Sequence, residues 1–233
     1  MSTLESPPVA GLLRQLFAQA DQDDPAAFER VNAALKRLPH PPDQRQRAEL
    51  MREVYMPVSP DVGRLLYVLA RSRGAKVIVE FGTSFGISGI HLAAAVRDAG
   101  GGRVVATELD PIKAERAAQN FRAAGLSELV DLRVGDAFET LKSGVGGSID
   151  LLLLDGWKEA YLPMLRLLEP QLSPGALVVA DDLDIAPEAL APYLDYVRQP
   201  GNGYVSVELP LGDRIEISLR TCALGLCALL IPP

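Results

Sequence analysis

Apolar positions in residues 9–56 recur at helical spacing. Leu12, Leu13, Leu16 and Phe17 share one helix face, and Phe28, Val31, Ala34, Leu35 and Leu38 share another. Pro39, Pro41 and Pro42 break this run, and Asp43 is placed to cap a third helix reaching Tyr55. Pro57 and Pro60 stop it, and a further helix is predicted from Asp61 to Arg73. Beyond that point short apolar runs alternate with helical segments. Strands are predicted over Lys76–Phe81, Arg103–Glu108, Leu129–Val134, Ile149–Leu154 and Ala176–Ala180. Helices are predicted over Ile87–Arg97, Pro111–Ala124 and Glu159–Leu168, with a short one from Ala137. Near-continuous apolar strands between helices mark a parallel sheet covered on both faces. Tyr204–Leu209 and Arg214–Leu219 alternate apolar and polar around Gly212-Asp213. That pattern predicts an antiparallel hairpin at one edge of the sheet.

The expected architecture is therefore α/β: a doubly wound, mostly parallel seven-stranded sheet of Rossmann-like type. An N-terminal helical cap (1–56), a core domain (57–220) and an apolar tail (221–233) are the expected divisions. Length and composition agree with this. The chain has 233 residues, 48% of them hydrophobic and 23% charged, which suits one folded α/β domain with an added segment and excludes global disorder. The formal net charge of −7 argues against a partner bound through its phosphate backbone, so nucleic acid is disfavoured. Cys222 and Cys227 are the two cysteines, and their spacing makes no zinc site. No basic, apolar leader opens the chain and no apolar run reaches a membrane span, so a cytoplasmic protein with no membrane contact is expected.

The first strand runs into Glu80-Phe81-Gly82-Thr83-Ser84-Phe85-Gly86-Ile87-Ser88 and then a helix. Gly82 allows a tight turn. Gly86 allows close backbone approach at a helix N-terminus, whose free N–H groups favour an anion. Glu108 ends the next strand, where an acidic residue can accept hydrogen bonds from both hydroxyls of a ribose. Together these point to a nucleoside-containing ligand at the strand C-termini. The spacing Gly82-x-x-x-Gly86 lacks the middle glycine of a dinucleotide fingerprint, so NAD is disfavoured. Asp136, after the third strand, either contacts a base or caps the next helix.

Asp155 follows the fourth strand, and Asp181 and Asp182 follow the fifth. In a doubly wound sheet these ends share one crevice. Three uncompensated carboxylates there raise one another's pKa, and a divalent cation relieves the repulsion. All-oxygen ligands suit Mg²⁺, Ca²⁺ or Mn²⁺. Strand-end aspartates also serve as loop residues and caps. Lys158, three residues after Asp155, is either a general base or a solvated partner of Glu159. Trp157 either walls a ligand or fills core space. His40 and His91 stand in no ligand spacing and read as structural.

The stretch Glu80 to Ser88, then Glu108, then Leu154-Asp155-Gly156-Trp157-Lys158-Glu159-Ala160-Tyr161-Leu162-Pro163, then Ala180-Asp181-Asp182 resembles the cation-dependent class I O-methyltransferases, which include the catechol and caffeoyl-CoA types. The likeness runs from about Tyr55 to Leu219. It implies a methyltransferase core using S-adenosylmethionine and a divalent metal on a small aromatic hydroxyl substrate. By that resemblance Val58, Glu80, Gly82, Ser84, Gly86, Ser88, Glu108, Asp136, Ala137, Asp155 and Trp157 belong to the cofactor site. Asp155, Asp181 and Asp182 would hold the metal, and Lys158 and Asp155 would be catalytic. Tyr55 to Pro60 looks like the family's flap, with Val58 and Ser59 near the cofactor. Two departures stand out: Asp182 where catechol enzymes often carry Asn, and Gly156 where the animal enzyme has His. A homodimer is expected. The alternatives are a methylase of a modified tRNA base and a non-catalytic nucleoside-binding module.

Overall fold

A single buried stripe builds the first helix of the computed structural model, which describes residues 2–221; Cys222, Cys227 and the rest of the apolar tail lie outside the described residues. α1 (Pro7–Leu35) is one continuous helix where two were predicted. Val9, Leu13, Leu16, Ala20, Asp24, Ala27 and Val31 are buried at three- and four-residue steps, so the stripe passes unbroken through Pro25. α2 (Gln44–Leu50) opens with the expected Asp43 cap, which accepts the Gln46 N–H at 2.8 Å. The Gln46 side chain accepts the Asp43 N–H in return, completing a capping box. α2 stops at Leu50, short of Tyr55, and the N–H groups of Tyr55 and Met56 go to Asp24 in place of a helical ladder. α3 (Pro60–Arg73) starts on a Ser59 cap and ends at left-handed Gly74.

The alternating part follows the predicted order: β1 (Val77–Phe81), α4 (Ile87–Asp98), β2 (Arg103–Glu108), α5 (Pro111–Ala123), β3 (Val130–Val134), α6 (Ala137–Thr140), β4 (Ile149–Leu154), α7 (Tyr161–Leu168), β5 (Leu172–Ala180), α8 (Pro187–Arg198), β6 (Tyr204–Leu209) and β7 (Ile215–Arg220). Two features depart from expectation. β5 begins at Leu172, before the predicted Ala176, pairing Leu172 with Ile149 across a register shift. α8 occupies a stretch in which no element was predicted. Its buried Leu190, Tyr193 and Val197 supply a helical stripe that Pro187 and Pro192 disguise.

The sheet order is β3-β2-β1-β4-β5-β7-β6. β1 to β5 are parallel, and β7 and β6 close one side as an antiparallel pair. Side chains alternate between two cores, as the strand period requires. Ile78, Val104, Leu151 and Val179 pack toward α1, α3, α4 and α5. Val79, Val105, Leu152 and Val178 pack toward α6, α7 and α8. The order reverses between β1 and β4, and a crevice opens there at the strand C-termini. Among the described residues no helix is long and apolar enough to cross a membrane.

Candidate active site

The β1–α4 turn forms one wall of this crevice. Gly82 has φ 92°, and a Cβ there would lie 2.7 Å from the Asp155 carbonyl, so a side chain is excluded by both conformation and space. α4 is capped by Gly86 with no side-chain acceptor, which leaves its first-turn N–H groups for an anion. Glu108 accepts the Ser84 N–H on one carboxylate oxygen and the Asp110 N–H on the other, both at 2.9 Å. Burial pushes its pKa up. Glu80 lies fully buried behind the turn, where the Ser88 and Thr83 hydroxyls each donate to it at 2.5 Å. Burial raises its pKa to about 7. Asp136 caps α6 through the Phe138 N–H at 2.9 Å.

The second wall is acidic. Asp155 leaves β4 with its N–H bonded to Phe81, and Asp181 leaves β5 with its N–H bonded to Leu154. Each of Asp155, Asp181 and Asp182 offers an oxygen within 4.8 Å of the others. Desolvation, then Asp181 and Asp182, hold the Asp155 pKa well above the ordinary carboxylate range. Desolvation and Asp182 raise Asp181 to about 7. Lys158 donates to Asp182 at 3.0 Å and to the Tyr161 hydroxyl at 2.7 Å. That hydroxyl donates in turn to the Asp181 carbonyl at 3.0 Å. Asp181 Oδ1 is buried and has no partner. One ammonium against three carboxylates, with an orphaned oxygen among them, fits a hard divalent cation. His91 is buried with Nδ1 2.8 Å from the Ile87 carbonyl, and burial lowers its pKa to about 4.

Between the walls lies a cavity of about 540 Å³. Val58, Gly82, Ser84, Ser88, Glu108, Asp136, Ala137, Asp155, Trp157, Lys158 and Asp182 all line it. Glu80, Gly86 and Asp181 are not on its wall. Glu80 braces the turn from behind, and Gly86 faces the Phe121 ring. Asp181 lines a neighbouring hollow of about 280 Å³, as does Ser59. The N-terminal segment also contributes to the wall, through residues that the sequence did not single out for the site: Phe28, Arg47, Met51 and Asp24. The Arg47 guanidinium stands 4.7 Å over the Trp157 ring and pairs with Glu159 at 2.8 Å. Asp24 did leave a signal, a carboxylate at a buried position of an apolar stripe.

A family model described as a methyltransferase domain matches residues 79–183. A catechol O-methyltransferase of Mycobacterium tuberculosis is 37% identical over 137 residues, covering 58% of this chain. The match spans 60% of that relative's length. A Mycobacteroides abscessus protein provisionally named an O-methyltransferase is 31% identical over 176 residues, covering 70% of this chain and 81% of its own. Among solved structures, the O-methyltransferase TomG of Streptomyces achromogenes, involved in tomaymycin synthesis and in complex with SAM, has a TM-score of 0.65 at 25% identity. It covers 82% of this chain and 96% of its own.

Proposed function

The chain belongs to the class I S-adenosylmethionine-dependent O-methyltransferase family, and from that membership we propose that it methylates a hydroxyl of a small catechol-type aromatic with the help of a divalent cation. The observation that carries this reading is the meeting of Asp155, Asp181 and Asp182 beside Lys158, at the edge of the cavity that Glu108 also lines. Glu108 keeps both oxygens anchored to backbone while facing the cavity, an arrangement suited to a pair of ribose hydroxyls. The open N-terminus of α4 suits the donor's carboxylate. Asp136 and Ala137, which line the cavity, would lie by the adenine, and Trp157 and Val58 on the same lining would wall the donor.

Asp155, Asp181 and Asp182 would hold the cation, which as a Lewis acid makes a phenol of ordinary pKa about 10 far easier to ionise. Lys158 is placed to take the hydroxyl proton. To do so it must release its ion pair with Asp182. The acceptor oxygen then bonds to the donor methyl carbon as the carbon–sulfur bond breaks, and S-adenosylhomocysteine leaves. Positioning by the two walls supplies much of the rate.

The test is methyl transfer from labelled donor to a panel of catechols, flavonoids and hydroxycinnamates, with Mg²⁺ or with excess EDTA. Turnover should vanish in EDTA while S-adenosylhomocysteine still binds by calorimetry. Full turnover in EDTA would reject the cation's role.

A further inference from the structure

The buried stripe of α1 carries one ionisable residue, Asp24, which is 8% exposed. It sits in mid-helix, where a carboxylate has no capping task. Its two oxygens accept the N–H groups of Tyr55 at 2.7 Å and Met56 at 3.0 Å. The Tyr55 carbonyl is held from the opposite side by the Ser84 hydroxyl at 2.7 Å, and Lys113 Nζ donates to that hydroxyl oxygen at 3.1 Å. Ser84 is also the residue whose N–H binds Glu108. The Tyr55 ring meets Phe85 edge-on at 4.4 Å.

Met56 is thereby held at φ 46°, a left-handed conformation that a non-glycine residue keeps only when its surroundings impose it. Met56, Pro57 and Val58 then wall the large cavity. A buried carboxylate on the N-terminal helix thus ties this wall to the turn that faces Glu108.

We propose that Asp24 is a positioning residue that holds residues 54–58 over the β1–α4 turn and thereby sets affinity for the methyl donor; this rests on the donor reading given above. Asp24→Asn keeps the shape but offers one acceptor oxygen to two N–H groups and turns its own NH₂ against the other. Calorimetry with S-adenosylhomocysteine should show Kd raised about tenfold or more. Donor KM should rise more than kcat falls. Amide hydrogen exchange at Tyr55 and Met56 should quicken in the variant and slow in wild type when S-adenosylhomocysteine is added.

A folded variant binding within about twofold of wild type overturns the proposal. Should the variant fail to fold, wild-type exchange decides: Tyr55 and Met56 amides as free as open chain in the complex would also overturn it. Wild type that binds no S-adenosylhomocysteine overturns the donor reading itself and the proposal with it.

Discussion

Replacing Asp181 by Asn should stabilise the cation-free protein, and more so at higher pH. Asp181 is 2% exposed and shares a 4.8 Å circle with two other carboxylates. Desolvation and Asp182 raise its pKa from 3.8 to about 7. Because the folded-state value lies above the unfolded one, the fold holds this proton more tightly than the unfolded chain does. Stability is therefore fully present below about pH 4 and is lost as the pH rises through about 7. The whole difference is about 4 kcal/mol, of which more than half develops between pH 5 and pH 8. Asn removes the charge, and the unpartnered Oδ1 has no hydrogen bond to lose.

For a chain of this length, each kcal/mol moves Tm by about 2–4 °C. In EDTA the variant's Tm advantage over wild type should therefore be about 5–10 °C larger at pH 8 than at pH 5. Calorimetric melts at both pH values, at fixed ionic strength, read this directly. Adding Mg²⁺ or Mn²⁺ at pH 8 should raise the wild-type Tm and shrink the gap. A gap that stays flat with pH, or a variant less stable at pH 8, would refute the electrostatic account.

The other expectations concern single contacts. Lys158→Ala should slow methyl transfer about 10²- to 10⁴-fold while binding S-adenosylhomocysteine as wild type does, checked by single-turnover kinetics and calorimetry. Glu108→Gln sets an NH₂ group against a backbone N–H of Ser84 or Asp110 and should weaken S-adenosylhomocysteine binding about tenfold or more, read by the same titration. Gly156→Ala places a Cβ 2.5 Å from the Phe81 ring and should cost about 1–3 kcal/mol by urea unfolding; adding Phe81→Leu should recover part of that loss.

Much of the sheet was legible because its signals are local. The apolar run Ile149–Leu154 and the alternating Tyr204–Leu209 coincide with β4 and β6; burial on both faces explains the run in β4, whereas in β6 the alternation marks only the strand period, since Val205 and Val207 are exposed and Ser206 turns to Ser218. Asp43 was readable as a cap because a cap acts on its own helix. α8 was obscured because Pro187 and Pro192 carry strong local stop signals that long-range burial of Leu190, Tyr193 and Val197 overrides. The same holds for α1, where the buried stripe outweighs the ladder bond missing at Pro25.

Of the site, the sequence by itself determined that the strand ends carrying Glu108, Asp155, Asp181 and Asp182 meet, because parallel strands between helices bring their C-terminal ends to one edge. Only the tertiary structure decided which side chains face the opening and which stand behind it. Glu80 and Gly86 share the motif of Gly82 and Ser88 yet face away from the cavity, since the turn's direction is set by its approach to Asp155 and Phe121. The contacts of Asp24 with Tyr55 and Met56 and of Arg47 with Trp157 join residues 31 to 110 positions apart. Such pairings leave no period or spacing in the chain, because they arise only when separately folded elements pack against one another.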